Sequence, residues 1–291
     1  MSSDIMPMTE PRSRRQRSQG SGATDAALLF DEPGPRGRIL IAIGSVVAVI
    51  GIAALVAAVL YRLDLAGQLD YPKWRYFLGQ SVVSQLLEAA GTTLTLGGVA
   101  AVLTFPLGIA LGWLRLLDNR PIKWLVGLWI DAMRAVPTLL LVYFFLLVVP
   151  RFATISDFWK LALPIVMCTS ATTAEVFRSG VRALDRGQTE AAWALGMSPS
   201  LTMRLILAPQ ALRLMLPTLV TQMVTIIKGT TLAYVLAYPE LMYRGSTMIG
   251  QAKIDAHLSV FFQTYVIIAV LYIIVNWSLG ALARYIESRT R

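Results

Sequence analysis

Apolar residues in this chain come in unbroken runs rather than in amphipathic stripes. Residues 39–60 hold no charged side chain, and neither do residues 94–114. Each run matches or exceeds the roughly 20 helical residues needed to cross a hydrocarbon core of about 30 Å. Four more runs, over 124–149, 161–184, 212–238 and 258–283, predict further spans, the fifth in chain order being the least regular. In lipid every backbone amide must find a partner within the protein, so such runs are helices unless they close a barrel. The strand alternation a barrel needs is not visible. The expectation is an all-α polytopic membrane protein with six transmembrane helices.

Composition agrees with a lipid solvent: 56% of residues are hydrophobic and 15% charged, against about 25% charged in ordinary globular chains. Residues 1–38, rich in Ser, Arg, Pro and Gly, carry too little apolar surface to fold alone and read as a disordered basic tail. A cleavable secretion signal has an apolar core of about 7–15 residues, shorter than the run that follows this tail, so a retained anchor helix is expected over 39–61. An outer loop over 62–81, a membrane domain over 82–286 and a short terminus over 287–291 complete the division.

Basic residues set the orientation, because they accumulate on the cytoplasmic side. With the first helix starting inside, the inner segments collect the arginines of the tail, then Arg115, Arg120, Lys123, Arg178, Arg182, Arg186, Arg204, Arg213 and the arginines of the C-terminus. The outer segments hold only Arg62, Lys73, Arg75, Arg151, Lys160, Arg244 and Lys253. Both termini are thereby expected in the cytoplasm. The net charge of +9 is mostly this topology signal plus an affinity for anionic headgroups, and nucleic acid is not an expected partner. Cys168, the only cysteine, falls in a span and reads as a small buried hydrophobe.

A polar-edged insert over 187–204 interrupts this pattern. Gly187 is expected to break the preceding helix, and residues 188–195 form a short helical run. Gly196 suits a left-handed C-terminal position, and Ser198-Pro199 an N-cap with its first turn. The sequence Glu190-Ala191-Ala192, then Gly196, then Leu207-Ala208-Pro209-Gln210-Ala211 and Leu216-Pro217, resembles the signature of binding-protein-dependent ABC import permeases of the polar amino-acid branch. Thr92-Thr93-Leu94, Arg134-Ala135-Val136-Pro137 and Ala174-Glu175-Val176-Phe177-Arg178-Ser179-Gly180 extend the resemblance from about Glu88 to the C-terminus.

That resemblance implies a five-helix type I importer core plus one additional N-terminal helix, in a bacterial plasma membrane. It implies coupling helices, carried by Gly187, Glu190, Ala191, Ala192 and Gly196, that dock in a groove of an ATPase subunit. The implied partners are two ABC ATPase subunits, a second permease, identical or homologous, and an extracytoplasmic binding protein that lands on outer loops such as 62–80 and 239–257. ATP and Mg belong to the ATPase subunits, and no cofactor is expected in this chain.

Charges within the spans are the candidate substrate contacts. Asp131, Arg134, Glu175 and Lys228 lie in apolar runs, where one charge costs roughly 2.5 to 3.5 kcal/mol on insertion scales and is usually turned toward a bundle interior or a watery cavity. They read either as mutually neutralising structural pairs or as contacts to solute. Lys228-Gly229-Thr230-Thr231 stands where the family has Lys-Asp-Thr-Ser, so a carboxylate is lost beside the lysine. A more positive pathway favours an anionic amino acid, glutamate or aspartate, and residues 29–38 resemble the start of glutamate permeases of high-GC Gram-positive bacteria.

Other features are read plainly. Gly108 and Gly112 have small-xxx-small spacing that occurs often by chance. Tyr71, Trp74, Tyr76 and Phe77 read as interface anchors, and His257, the sole histidine, as no metal site. No phosphate-cradling Gly-rich loop, nucleophile elbow or His/Cys cluster occurs, so no catalytic or metal-binding residue is assigned. The alternatives are an ion-coupled secondary amino-acid transporter using Glu175, and a non-transporting membrane scaffold or receptor subunit.

Overall fold

The computed structural model describes residues 34–290. The tail expected over 1–38, with the glutamate-permease-like segment beginning at 29, lies up to residue 33 outside the described residues. Among those described, every regular element is helical. They divide into two compact units between Ala66 and Gly67.

The first unit is one helix, α1 (Pro35–Leu65), none of whose residues is buried. It begins ahead of the apolar run because Pro35 takes the first helical position, where its fixed φ is favourable and its missing N–H costs nothing. A helix apolar on all sides is a membrane span.

The second unit opens with α2 (Tyr71–Arg75) and a 3-10 turn, Tyr76–Leu78. Tyr71 is exposed, but Phe77 is not a surface anchor: it packs in a core with Val82, Leu86, Leu241 and Met248. Then come α3 (Gln80–Leu116), α4 (Arg120–Ala135), α5 (Thr138–Leu147) and α6 (Asp157–Arg182). The short pair α7 (Arg186–Ala194) and α8 (Pro199–Thr202) leads through a π turn, Met203–Leu207, into α9 (Ala208–Gly229). A 3-10 stretch (Thr230–Leu236), α10 (Leu241–Asp255) and α11 (Phe261–Thr290) complete the unit.

The expected count of six spans is not reproduced. By length and composition four helical stretches qualify among the described residues, α1, α3, Pro199–Leu236 and α11, and five if a bent pair counts as one. That pair is α4 and α5, expected as a single span over 124–149 but bent by 95°. The cause is Pro137, which pushes the residue before it out of the helical region; Val136 accordingly takes ψ 127°. The run over 161–184 does form the long helix α6, but its threonines, serines and charges make it too polar to qualify. It can afford them because it is the buried centre of the bundle, with Leu161, Ile165, Ala171, Ala174 and Phe177 all but inaccessible.

Helices α3 and α6 cross closely. A Cβ at Gly108 would lie 2.9 Å from the Ser170 carbonyl oxygen, and one at Gly112 would lie 2.6 Å from that of Ala174. The glycine spacing in α3 is therefore a contact between two backbones. Helix α10 was expected as loop; it folds because Leu241, Gly245, Met248 and Ala252, at helical spacing, are all buried.

Candidate functional site

The insert between α6 and α9 is a locally built unit. Asp185 caps α7, its Oδ1 accepting from the Gly187 N–H at 2.7 Å. Gly187 thus lies in the first turn of α7 and does not end α6, which stops at Arg182. A side chain at 187 would crowd this cap, since its Cβ would stand 3.1 Å from Asp185 Oδ1. At the other end Gly196 takes φ 75°, the left-handed conformation expected of it. The Met197 N–H donates to the Ala192 carbonyl at 3.1 Å and the Gly196 N–H to that of Trp193 at 2.9 Å, the paired bonds of a Schellman ending. Ser198 then caps α8, accepting from Leu201 N–H at 3.4 Å. Gln210 Nε2 donates to Gln188 Oε1 at 3.1 Å, tying α7 to α9.

This scaffold fixes which residues face out. Ala192 is buried, whereas Gly187, Glu190, Ala191 and Gly196 are exposed. Beside them, Trp193 is 57% and Leu195 82% exposed.

The four charges expected within spans, Asp131, Arg134, Glu175 and Lys228, do not form one group. Glu175 and Asp131 are brought together by Arg115, in the last turn of α3 and just past its apolar run. Its Nη1 lies 3.1 Å from Glu175 Oε2 and its Nη2 3.1 Å from Asp131 Oδ2. Arg178 completes the network, its Nε donating to Glu175 Oε2 at 3.0 Å and its Nη2 pairing with Oε1. The Glu175 to Arg178 spacing of three residues on a helix was the legible signal. Arg134 stands apart from these ion pairs but lines a cavity of about 410 Å³ with Glu175, Thr172, Ser179 and Thr218. Lys228 joins none of them. It is exposed in the last turn of α9 and, among the described residues, forms no ion pair. Gly229 beside it packs on Ile165, ten positions before Glu175 on α6 and so about 15 Å away along that helix.

A buried acid lies in a segment without an apolar run to point to it. Glu240 is fully buried. It caps α10 by accepting from the Tyr243 N–H at 2.9 Å, and Tyr272 Oη donates to its other oxygen at 2.7 Å. Burial pushes its carboxyl above the ordinary value, against the opposing pull of hydrogen bonds from Met242, Tyr272 and Tyr243.

Residues 104–291 match the model of a family described as binding-protein-dependent transport system inner membrane component. Over 198 residues the chain is 33% identical to the probable glutamine ABC transporter permease protein GlnP of Bacillus subtilis, spanning 68% of this chain and 89% of that one. Over 230 residues it is 33% identical to the glutamate transport system permease protein GluD of Corynebacterium glutamicum, spanning 77% and 82%. Its fold is shared with a crystal structure of an amino acid ABC transporter with histidines, at a TM-score of 0.64 and 24% identity over 72% of this chain and 95% of that chain. The MetNI methionine ABC transporter in an inward-facing conformation gives a TM-score of 0.62 at 16% identity, over 73% and 99%.

Proposed function

This chain belongs to the family of binding-protein-dependent transport system inner membrane components, and we propose that within an ATP-driven importer of polar amino acids it is the subunit that converts movement of an ATPase into opening of the membrane path. It is a transport component, and ATP is hydrolysed on partner subunits. The observation that carries the coupling role is the outward face of α7: capped at both ends and tied to α9, it leaves Glu190, Ala191, Trp193 and Leu195 exposed. A rigid apolar face centred on one carboxylate is built to be covered by another protein.

In this reading two ATPase subunits dock on α7 and α8 of two permeases, identical or homologous. The end of the bundle that carries α7 and both chain termini face the cytoplasm, and an extracytoplasmic binding protein delivers solute to the opposite end. ATP drives the cycle because it favours one of two states of the ATPase pair; a ligand shifts an equilibrium only by its differential affinity.

The substrate proposed is glutamate or aspartate. The relatives are named for glutamine and glutamate, and Lys228, with no carboxylate paired to it among the described residues, supports the anionic choice. The test is uptake of labelled glutamate, aspartate, glutamine, arginine and histidine by the reconstituted transporter. Glu190→Ala is expected to uncouple ATP hydrolysis from uptake and lower it by about tenfold, the equivalent of about 1.4 kcal/mol at an interface anchor. Lys228→Met is expected to reduce uptake of the two acidic substrates alone. Gradient-driven uptake that ignores Glu190→Ala would overturn the coupling reading, and equal loss of all substrates in Lys228→Met would overturn the substrate assignment.

A further inference from the structure

We infer a binding site for the phosphate headgroup of an anionic phospholipid where α3, α4 and α6 converge. The site is a cavity of about 370 Å³ on the side of the Glu175 network away from the Arg134 cavity, lined by Arg115, Lys123, Arg178, Arg182 and Asp131. Four cations thus face one carboxylate. Two of the cations are spoken for: Arg115 holds Asp131 and Glu175, and Arg178 holds Glu175. Lys123 and Arg182 are exposed, and neither forms an ion pair among the described residues. The cavity therefore keeps a surplus of positive charge that the protein itself does not neutralise.

The chemistry of that surplus fits phosphate. Lys123 is a compact ammonium on a flexible stem, while Arg182 offers a planar fork of donors that suits phosphate oxygens. Both can move onto an anion without breaking an existing pair. A substrate role for this cavity is not needed to account for it, because its two free cations are absent from the Arg134 cavity.

The surroundings decide between a lipid and a soluble anion. Trp124 and Leu128 line the cavity and are 66% and 56% exposed, and Leu125 between them is also exposed. Helix α4 therefore carries an apolar strip directly beside the cations, and Trp124 has the amphipathic ring that aromatic belts place at headgroup level. Basic pockets between helices at that level hold anionic headgroups. A free phosphate would use the cations and leave the strip unexplained; a glycerophospholipid uses both, its phosphodiester in the cavity and its acyl chains along Trp124, Leu125 and Leu128.

The test is native mass spectrometry of the complete transporter complex after delipidation and titration with phosphatidylglycerol or phosphatidylcholine. The variants are Lys123→Gln/Arg182→Gln and, as a charge-matched control at the other end of the bundle, Arg151→Gln/Lys253→Gln. Wild type and control are expected to retain phosphatidylglycerol in preference to phosphatidylcholine. The Lys123/Arg182 pair is expected to weaken it by about 30-fold, the equivalent of about 2 kcal/mol for two basic residues. Lys123→Arg/Arg182→Lys, which conserves charge, is expected to hold the lipid and so separates loss of charge from loss of fold. Equal retention in all variants, or equal loss in the control, would overturn the site. Displacement of the lipid by millimolar inorganic phosphate would overturn the lipid assignment in favour of a soluble anion.

Discussion

Adding a single methyl group at Gly112 is expected to force α3 off α6. The new Cβ would lie 2.6 Å from the Ala174 carbonyl oxygen and 3.0 Å from Phe177 Cδ1, whereas carbon and oxygen need about 3.3 Å even in their closest favourable contacts. The shortfall of about 0.7 Å falls on backbone, which no rotamer change relieves. Overpacking of this kind costs about 1–3 kcal/mol. Gly108→Ala should cost a similar amount, against the Ser170 carbonyl and the branched Thr173 side chain. The double variant should cost less than the sum, because one displacement serves both positions. Gly91 and Gly98 on the same helix meet nothing within 4 Å, so alanine there should be neutral or, through helix propensity, stabilising by up to about 1 kcal/mol. The assay is the temperature at which each detergent-purified variant loses its monodisperse size-exclusion peak. Since Arg115 lies one turn beyond Gly112, Glu175→Gln should also cost less in the Gly112→Ala background than in the wild type. Gly112→Ala melting with Gly98→Ala would refute the close crossing.

Two further outcomes follow from the acids. Glu175→Gln removes the charge on which Arg115 and Arg178 converge, and with side chains about one-fifth exposed the expected loss is about 2 kcal/mol; a melting temperature equal to wild type would remove the network from the account of stability. Glu240 has its carboxyl raised by burial in the fold, so as pH climbs above about 4.3 the unfolded chain gives up its proton first and stability declines until the folded-state value is passed. Glu240→Gln, whose oxygen still accepts from the Tyr243 N–H while its amide N–H donates to Tyr272 Oη in place of the second carboxylate oxygen, should therefore gain on wild type across that window, and a pH-independent difference between the two would show that the carboxyl is not raised.

How much was legible depended on what each helix touches. Helices α1, α3 and α11 leave much of their apolar surface uncovered by the rest of the described residues, so their apolar runs announce them. Helix α6 meets protein on most faces, and burial against Gly108 and Gly112 demands small and polar side chains rather than a continuous apolar run. The break at Val136-Pro137 is present in the sequence as a backbone restriction, inside a passage whose family pattern is the more conspicuous signal. Leu241, Gly245, Met248 and Ala252 likewise spell out a helix across a stretch that lacks an apolar run. For the charges, position within a run identified Glu175 and Asp131, but counting Arg115 and Arg178 as topology signals hid their partners. Lys228 resembles the others in sequence and is separated from them because α9 starts at the insert and carries Lys228 to its last turn, beside Ile165, whereas Glu175 lies toward the insert end of α6. The α7 turn was the most readable part, since Gly196 and Ser198 act through local geometry that needs no tertiary context.

The insert has almost no slack. From Arg182, the last residue of α6, to Arg186, the first of α7, the chain takes four steps, at most about 14 Å when pulled straight. On the other side α8 passes through the π turn into α9 with no residue between. Whatever grasps this insert therefore has α6 and α9 on a short leash: it cannot travel farther than that without drawing both helix ends after it.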